Sequence, residues 1–241
     1  MSEPSTIEIK VNVAGDVDSA LSALGLNGGT RRRVWFVDDL TDGARPTLPL
    51  LSAGIVLRLR KRDDGQEDST VKMRPCRRSQ LISPWDEPLM RDPDFTIEGD
   101  WSRSRHVLAA SSKADLDEGT IHAAISGDGH LDDAFTNAQQ EFLAECGEIK
   151  VAFRGLSVLD PINATQWKNE SIGGVPYVAA ERWTVAGLDF LELSMRVTDG
   201  ADAAAGQQRA LTEAVLSRGL HLDDSEESKT MRVMKCLAGL K

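Results

Sequence analysis

Between Gly54 and Arg74 the chain reads GIVLRLRKRDDGQEDSTVKMR. Arg58 and Arg60 alternate with Leu57 and Leu59, and Lys72 and Arg74 alternate with Val71 and Met73. Successive strand residues point to opposite faces, so each segment predicts a strand with one cationic and one apolar side. The polar link from Asp63 to Asp68 contains Asp64-Gly65, a hairpin signal. Two neighbouring strands then bring four cations onto one surface. That surface suits a ligand carrying several negative charges, phosphate first. A plain solvated face of an antiparallel sheet has the same pattern.

The alternation recurs with acidic residues. In Thr6 to Val13, Glu8 and Lys10 share a side with Thr6 and Asn12, opposite Ile7, Ile9, Val11 and Val13. Glu98 and Asp100 share a side of a strand from Phe95 to Trp101. Glu192, Ser194 and Arg196 share a side of Leu188 to Val197, opposite Leu191, Leu193 and Met195. A strand from Lys150 to Leu159 would show Lys150, Ala152 and Arg154 together.

These residues must be positioned by a sheet. Strands are expected at 6–13, 31–38, 55–60, 70–74, 95–101, 150–159, 175–185 and 188–197. Helices are expected at 16–24, 131–146, 203–217 and 226–240, with a short helix or turn at 47–53. The proline-rich stretch from Cys76 to Asp94 reads as a loop, and Ser102 to Gly129 as polar and irregular. Short sequential connections favour an antiparallel meander that closes into a barrel. The expectation is an α+β fold: a single domain over 1–241, built on an eight-stranded antiparallel β-barrel with flanking helices. If the charged sides face inward, the barrel is a charged tunnel.

The 241 residues, 41% hydrophobic and 27% charged, suit a globular protein with a substantial core. The formal net charge of −10 argues against nucleic acid as a partner and for a small anion held locally. No apolar run approaches a membrane span, and MSEPSTIEIK lacks a signal-peptide core, so a cytoplasmic protein without membrane contact is expected. Three scattered cysteines and four histidines show neither a disulfide framework nor zinc-ligand spacing.

Taken in order, these stretches resemble the CYTH superfamily, the triphosphate tunnel metalloenzymes. The family's ExExK strand is matched by Thr6-Ile7-Glu8-Ile9-Lys10 except at its first position. Its YFDTP-like strand corresponds to Trp35-Phe36-Val37-Asp38, its AGxxLRxR strand to Ala53 through Arg60, and its TxK strand to Thr70-Val71-Lys72. An acidic strand (Ile97-Glu98-Gly99-Asp100), an Arg-bearing strand around Arg154, an ExE-like strand (Glu192-Leu193-Ser194) and a lysine opening the last helix (Lys229) follow in the family's order.

The resemblance implies a triphosphate held by Lys10, Arg58, Arg60, Lys72, Arg154 and Lys229. It implies Mg²⁺ or Mn²⁺ held by Glu8, Glu98, Asp100 and Glu192, with Glu181 a further candidate, and Glu8, Lys10 and Glu192 as catalytic residues. Acids and bases facing one polyphosphate require a divalent ion between them, and the chemistry is hydrolysis of inorganic triphosphate, a nucleoside triphosphate or thiamine triphosphate. The family also contains class IV adenylate cyclases. Thr6 and Ser194 stand where the family has glutamates, which leaves a third alternative, a weakened enzyme that binds triphosphate or polyphosphate.

Overall fold

The computed structural model describes residues 4, 6–40, 47–86, 94–103 and 105–240. Pro88 and Pro93, expected in the 76–94 loop, lie outside these residues. The strands are β1 (Ile7–Ala14), β2 (Thr30–Asp38), β3 (Ile55–Arg62), β4 (Glu67–Cys76), β5 (Phe95–Ser102), β6 (Arg105–Leu116), β7 (Ser157–Val158), β8 (Ile162–Ile172), β9 (Val175–Val185), β10 (Leu188–Val197) and β11 (His221–Leu222). The helices are α1 (Val17–Leu24), α2 (Pro49–Ser52), α3 (Thr120–Ser126), α4 (Asn137–Cys146), α5 (Ala201–Leu216) and α6 (Lys229–Leu237).

Hydrogen-bonded neighbours run β10-β9-β8-β2-β3-β4-β6-β5-β1, and β1 pairs with β10. Among the described residues this is a closed, mixed β-barrel of nine strands with flanking helices. Three expectations are corrected. The ring has nine strands because 105–116, read as irregular, is a 12-residue strand. The ring is mixed because β1 and β5 run parallel, with Glu8 opposite Asp100. The strand expected at 150–159 shrinks to β7 at 157–158, and the ring takes β8 instead. No helix among the described residues is long and apolar enough to cross a membrane.

The chain divides into two compact units. The first comprises Met1–Arg32, Glu98–Val107 and Asn163–Lys229, and the second Arg33–Ile97, Leu108–Ile162 and Thr230–Lys241. In the first unit, Ile7, Ile9, Val11 and Val13 of β1 and Leu191, Leu193 and Met195 of β10 pack with Val17, Ala20 and Leu24 of α1 and Ala204, Leu211 and Val215 of α5. Asp16 caps α1 by accepting the Ser19 N–H at 2.8 Å, and Gly25 ends the helix in the left-handed region.

In the second unit, Leu57 and Leu59 of β3, Val71 and Met73 of β4, and Ala110 of β6 pack with Ile121 of α3 and Phe142 and Leu143 of α4. Trp85, Phe95 and Phe142 meet edge to face or tilted with centroids 5.0 to 5.3 Å apart. The helix expected at 131–146 is a 3-10 turn followed by α4, because Thr136 and Gln139 form a capping box that starts the helix anew. In both units the strand face carrying the aliphatic side chains is the one its helices cover. Most charged residues are left on the other face; Glu67 and its partner Lys61 are exceptions, at the end of β3 and β4 next to α3.

Candidate functional site

In the first unit β1 supplies Glu8 and Lys10. Their aliphatic neighbours Ile7, Ile9 and Val11 are buried in the core, which turns the two charged side chains to the uncovered face. Glu8 pairs in register with Asp100 of β5 on one side and Arg196 of β10 on the other. The Lys10 ammonium lies 2.5 Å from Asp100 Oδ2 and 3.0 Å from Glu8 Oε2. Arg196 reaches Glu98 Oε2 with Nε at 3.4 Å and Glu8 Oε1 with Nη2 at 3.9 Å. The side chains of Glu98 and Asp100 are 5% and 4% exposed. Between them Gly99 lies opposite Ile7, and a Cβ there would come within 3.1 Å of Ile7 Cγ1. The glycine allows β5 to pack closely against β1.

A second group forms around Lys229, the first residue of α6. Its Nζ lies 2.9 Å from Glu181 Oε2 and 3.2 Å from Glu192 Oε1, and 4.0 Å from the ring centroid of Trp183. Glu192 and Glu181 are register partners across β10 and β9. Ser194 stands opposite Lys10, and the Thr6 carbonyl accepts the Gly99 N–H at 2.9 Å. Both thus occupy the rows where the resemblance puts glutamates.

Lys10, Arg196 and Lys229 each bridge two carboxylates, so three cations face the five acids Glu8, Glu98, Asp100, Glu181 and Glu192. Carboxylate oxygens are the donors that a hard divalent cation takes. Among the described residues no three His, Cys, Asp or Glu side chains already converge as a metal site. An arriving ion would have to compete with Lys10 and Arg196 for Glu8. Glu192, expected beside Glu8, Glu98 and Asp100, is engaged by Lys229 instead.

In the second unit the register sets out rows across three strands. Arg58 of β3, Thr70 of β4 and Lys113 of β6 form one row, and Arg60, Asp68 and Asp115 the next. Lys72 and Ser111 pair in a third. Arg58 Nη2 donates to Thr70 Oγ1 at 3.0 Å, and Arg60 Nε donates to Asp68 Oδ2 at 2.8 Å. Arg58, Arg60 and Lys72 therefore share a face as expected. Asp38, at the end of β2, is fully buried and accepts the N–H groups of Leu50 and Leu51 at 2.9 and 3.0 Å. It fixes the start of α2, which leads directly into β3. Burial pushes its carboxyl above the ordinary range despite these donors.

Arg154 is not part of this set. It lies in a 3-10 turn, 76% exposed, with Nε 3.4 Å from Asp132. The sequence reading missed Arg196 as a partner of Glu8 and Glu98, although Arg196 shares a face with Glu192. It missed Lys113 because β6 lacks a clean apolar alternation: Ala110 and Ser112 are small or polar on its core side, and Ala109 is buried on the other.

No family model and no curated protein matches the chain. Solved structures do. The candidate adenylyl cyclase HpAC1 of Hippeastrum, described as having a dominant triphosphatase activity, superposes with a TM-score of 0.61 at 14% identity over 96% of both chains. A candidate adenylate cyclase of Bacillus halodurans superposes with a TM-score of 0.57 at 13% identity, over 96% of this chain and 98% of its own. At such identities the likeness is one of fold.

Proposed function

We propose that this chain is a divalent-metal-dependent triphosphate hydrolase. The observation that carries the reading is the register of β3 and β4, which sets Arg58, Arg60 and Lys72 on one face while Leu57, Leu59, Val71 and Met73 are buried behind them. A triphosphate carries about four negative charges, and guanidinium groups bind its oxygens two at a time and fix its orientation. In the first unit, Lys10 and Lys229 are buried cations engaged with carboxylates, and a phosphate oxygen could take the place of those partners.

Glu8, Glu98, Asp100 and Glu192 are the residues that would hold Mg²⁺ or Mn²⁺. When bound, such an ion neutralises phosphate oxygens and lowers the pKa of a water. Glu8, held in place by Lys10 and Arg196, is the carboxylate we assign to take a proton from an attacking water. Glu192 is held by Lys229 and would keep that ammonium oriented.

The named activities of the two structural neighbours point to triphosphate chemistry and favour the same reading. Released products test it. A hydrolase frees orthophosphate from inorganic, nucleoside or thiamine triphosphate with Mg²⁺ or Mn²⁺, and a class IV-type cyclase frees pyrophosphate from ATP alone. Triphosphate binding with no product from any substrate would reject hydrolysis. It would establish instead the binding reading, which the uncharged Thr6 and Ser194 and the cation-bridged carboxylates favour.

A further inference from the structure

We infer that Lys113 of β6 is a substrate-binding residue and that Asp115 is a built-in competitor holding it in the absence of ligand. The inference rests on the triphosphate reading above and adds a third strand to the anion-binding face.

Thr70 is the centre of the argument. Arg58 of β3 is its register partner on one side and donates to its hydroxyl at 3.0 Å. Lys113 of β6 is its register partner on the other side. Directly paired residues project from the same face, so Arg58 and Lys113 flank one hydroxyl. Adjacent strands lie about 4.8 Å apart, which puts the two backbones roughly 10 Å from each other. Long side chains converging from that distance can reach one linear polyphosphate. Beside Lys113, Ser111 pairs with Lys72, and its hydroxyl lies 2.9 Å from that of Thr96 on β5. Hydroxyls and cations thus continue across β6.

Lys113 Nζ lies 2.5 Å from Asp115 Oδ1, two residues along on the same face. The Asp115 side chain is 83% exposed and that of Lys113 is 37% exposed. A pair so open to water is weak and gives way to a multiply charged anion. Arg60, held by Asp68 at 2.8 Å with both side chains largely buried, is a firmer pair. Lys113 is therefore more readily released to a ligand than Arg60.

The test is calorimetric titration of inorganic tripolyphosphate into the whole chain, with Arg58→Ala as a control. Lys113→Gln is expected to weaken binding about tenfold or more, as for loss of a charge-assisted contact, and Lys113→Arg to retain it. Asp115→Asn is expected to tighten binding roughly two- to fivefold by freeing Lys113, and to have no effect when combined with Lys113→Gln. If Arg58→Ala weakens binding while Lys113→Gln matches wild type, Lys113 is no ligand. An Asp115→Asn protein that binds no tighter overturns the competitor role. Absence of any binding to wild type, with a normal melting curve, removes the functional reading and this inference with it.

Discussion

Arg58 and Arg60 have different register partners on β4. Arg58 leans on the neutral Thr70 hydroxyl, whereas Arg60 is bound to the buried Asp68. Replacing each by Ala should weaken tripolyphosphate binding by about 10- to 100-fold, as for loss of a charge-assisted contact. Titration calorimetry on the single and double variants reads this directly, and an unchanged dissociation constant in the double variant would refute it. The fold should survive, since Leu57 and Leu59 behind them are untouched.

Thr6 and Ser194 bear on metal affinity. Ser194 faces Lys10 in register, and Thr6 precedes β1 on the side of Glu8. Adding a carboxylate at each, as Thr6→Glu with Ser194→Glu, increases the anionic donors from which an ion can choose. The double variant is expected to bind Mn²⁺ about tenfold or more tightly by electron paramagnetic resonance titration, and to turn over triphosphate faster. A variant that melts normally yet binds Mn²⁺ no better would show that the two substitutions are not what limits the site. Strand parity assigned both positions to the charged faces in the sequence, and only the resemblance marked them as places of missing glutamates. The partners that the carboxylates choose were not legible, since Lys229 and Glu192 lie 37 positions apart and only the closing of β9, β10 and α6 in space joins them.

Among the elements, strands with strict alternation were legible and those without it were not. Leu57 and Leu59 of β3, Val71 and Met73 of β4, and Leu191, Leu193 and Met195 of β10 fall on alternate positions. β6 and β8 have small or polar residues on their buried sides, such as Ala110, Ser112 and Ala164, so the period is faint. Pairing on both flanks makes such segments strands whatever their own preference. The element joints also depend on single polar residues. Glu67 at the head of β4 has a fully buried side chain that accepts from Lys61 Nζ of β3 and from the Ile121 N–H of α3, both at 2.8 Å.

Burial alone would push the Glu67 carboxyl up, but the Lys61 ammonium and the α3 amides outweigh it and hold it below its ordinary 4.5. A carboxylate with a lowered folded pKa adds stability above its unfolded value and loses it as pH falls through the folded value. Glu67→Gln should therefore lower Tm at pH 7 by roughly 2–10 °C, for a loss of about 1–3 kcal/mol. The difference from wild type should close as pH drops below about 4.5. Equal gaps at pH 7 and pH 3 in thermal melts followed by circular dichroism would assign the effect to packing instead.

At the scale of the whole molecule, the net charge of −10 makes the cations of the second unit a local exception, and long-range attraction does little for an anionic ligand. Binding must come from short contacts, and its effect on stability tests how the chain coheres. The chain passes between the two units at 32–33, 97–98, 107–108, 162–163 and 229–230, and these points fall within β2, β5, β6, β8 and α6. A strand that begins in one unit and ends in the other cannot lose half its length without fraying the rest. We expect one melting transition. Trp35 and Trp85 report on the second unit, and Trp101, Trp167 and Trp183 on the first. A protein keeping only the first pair and one keeping only the other three should each show fluorescence midpoints equal to their far-ultraviolet circular dichroism midpoints. Tripolyphosphate at a hundred times its dissociation constant contributes about 2.7 kcal/mol, which for a chain of this size raises Tm by roughly 5–10 °C. Although the contacts assigned to Arg58, Arg60, Lys72 and Lys113 lie in the second unit, both fluorescence midpoints should rise together. A rise confined to Trp35 and Trp85 would mean that the units melt independently and that the strands running through both do not couple them.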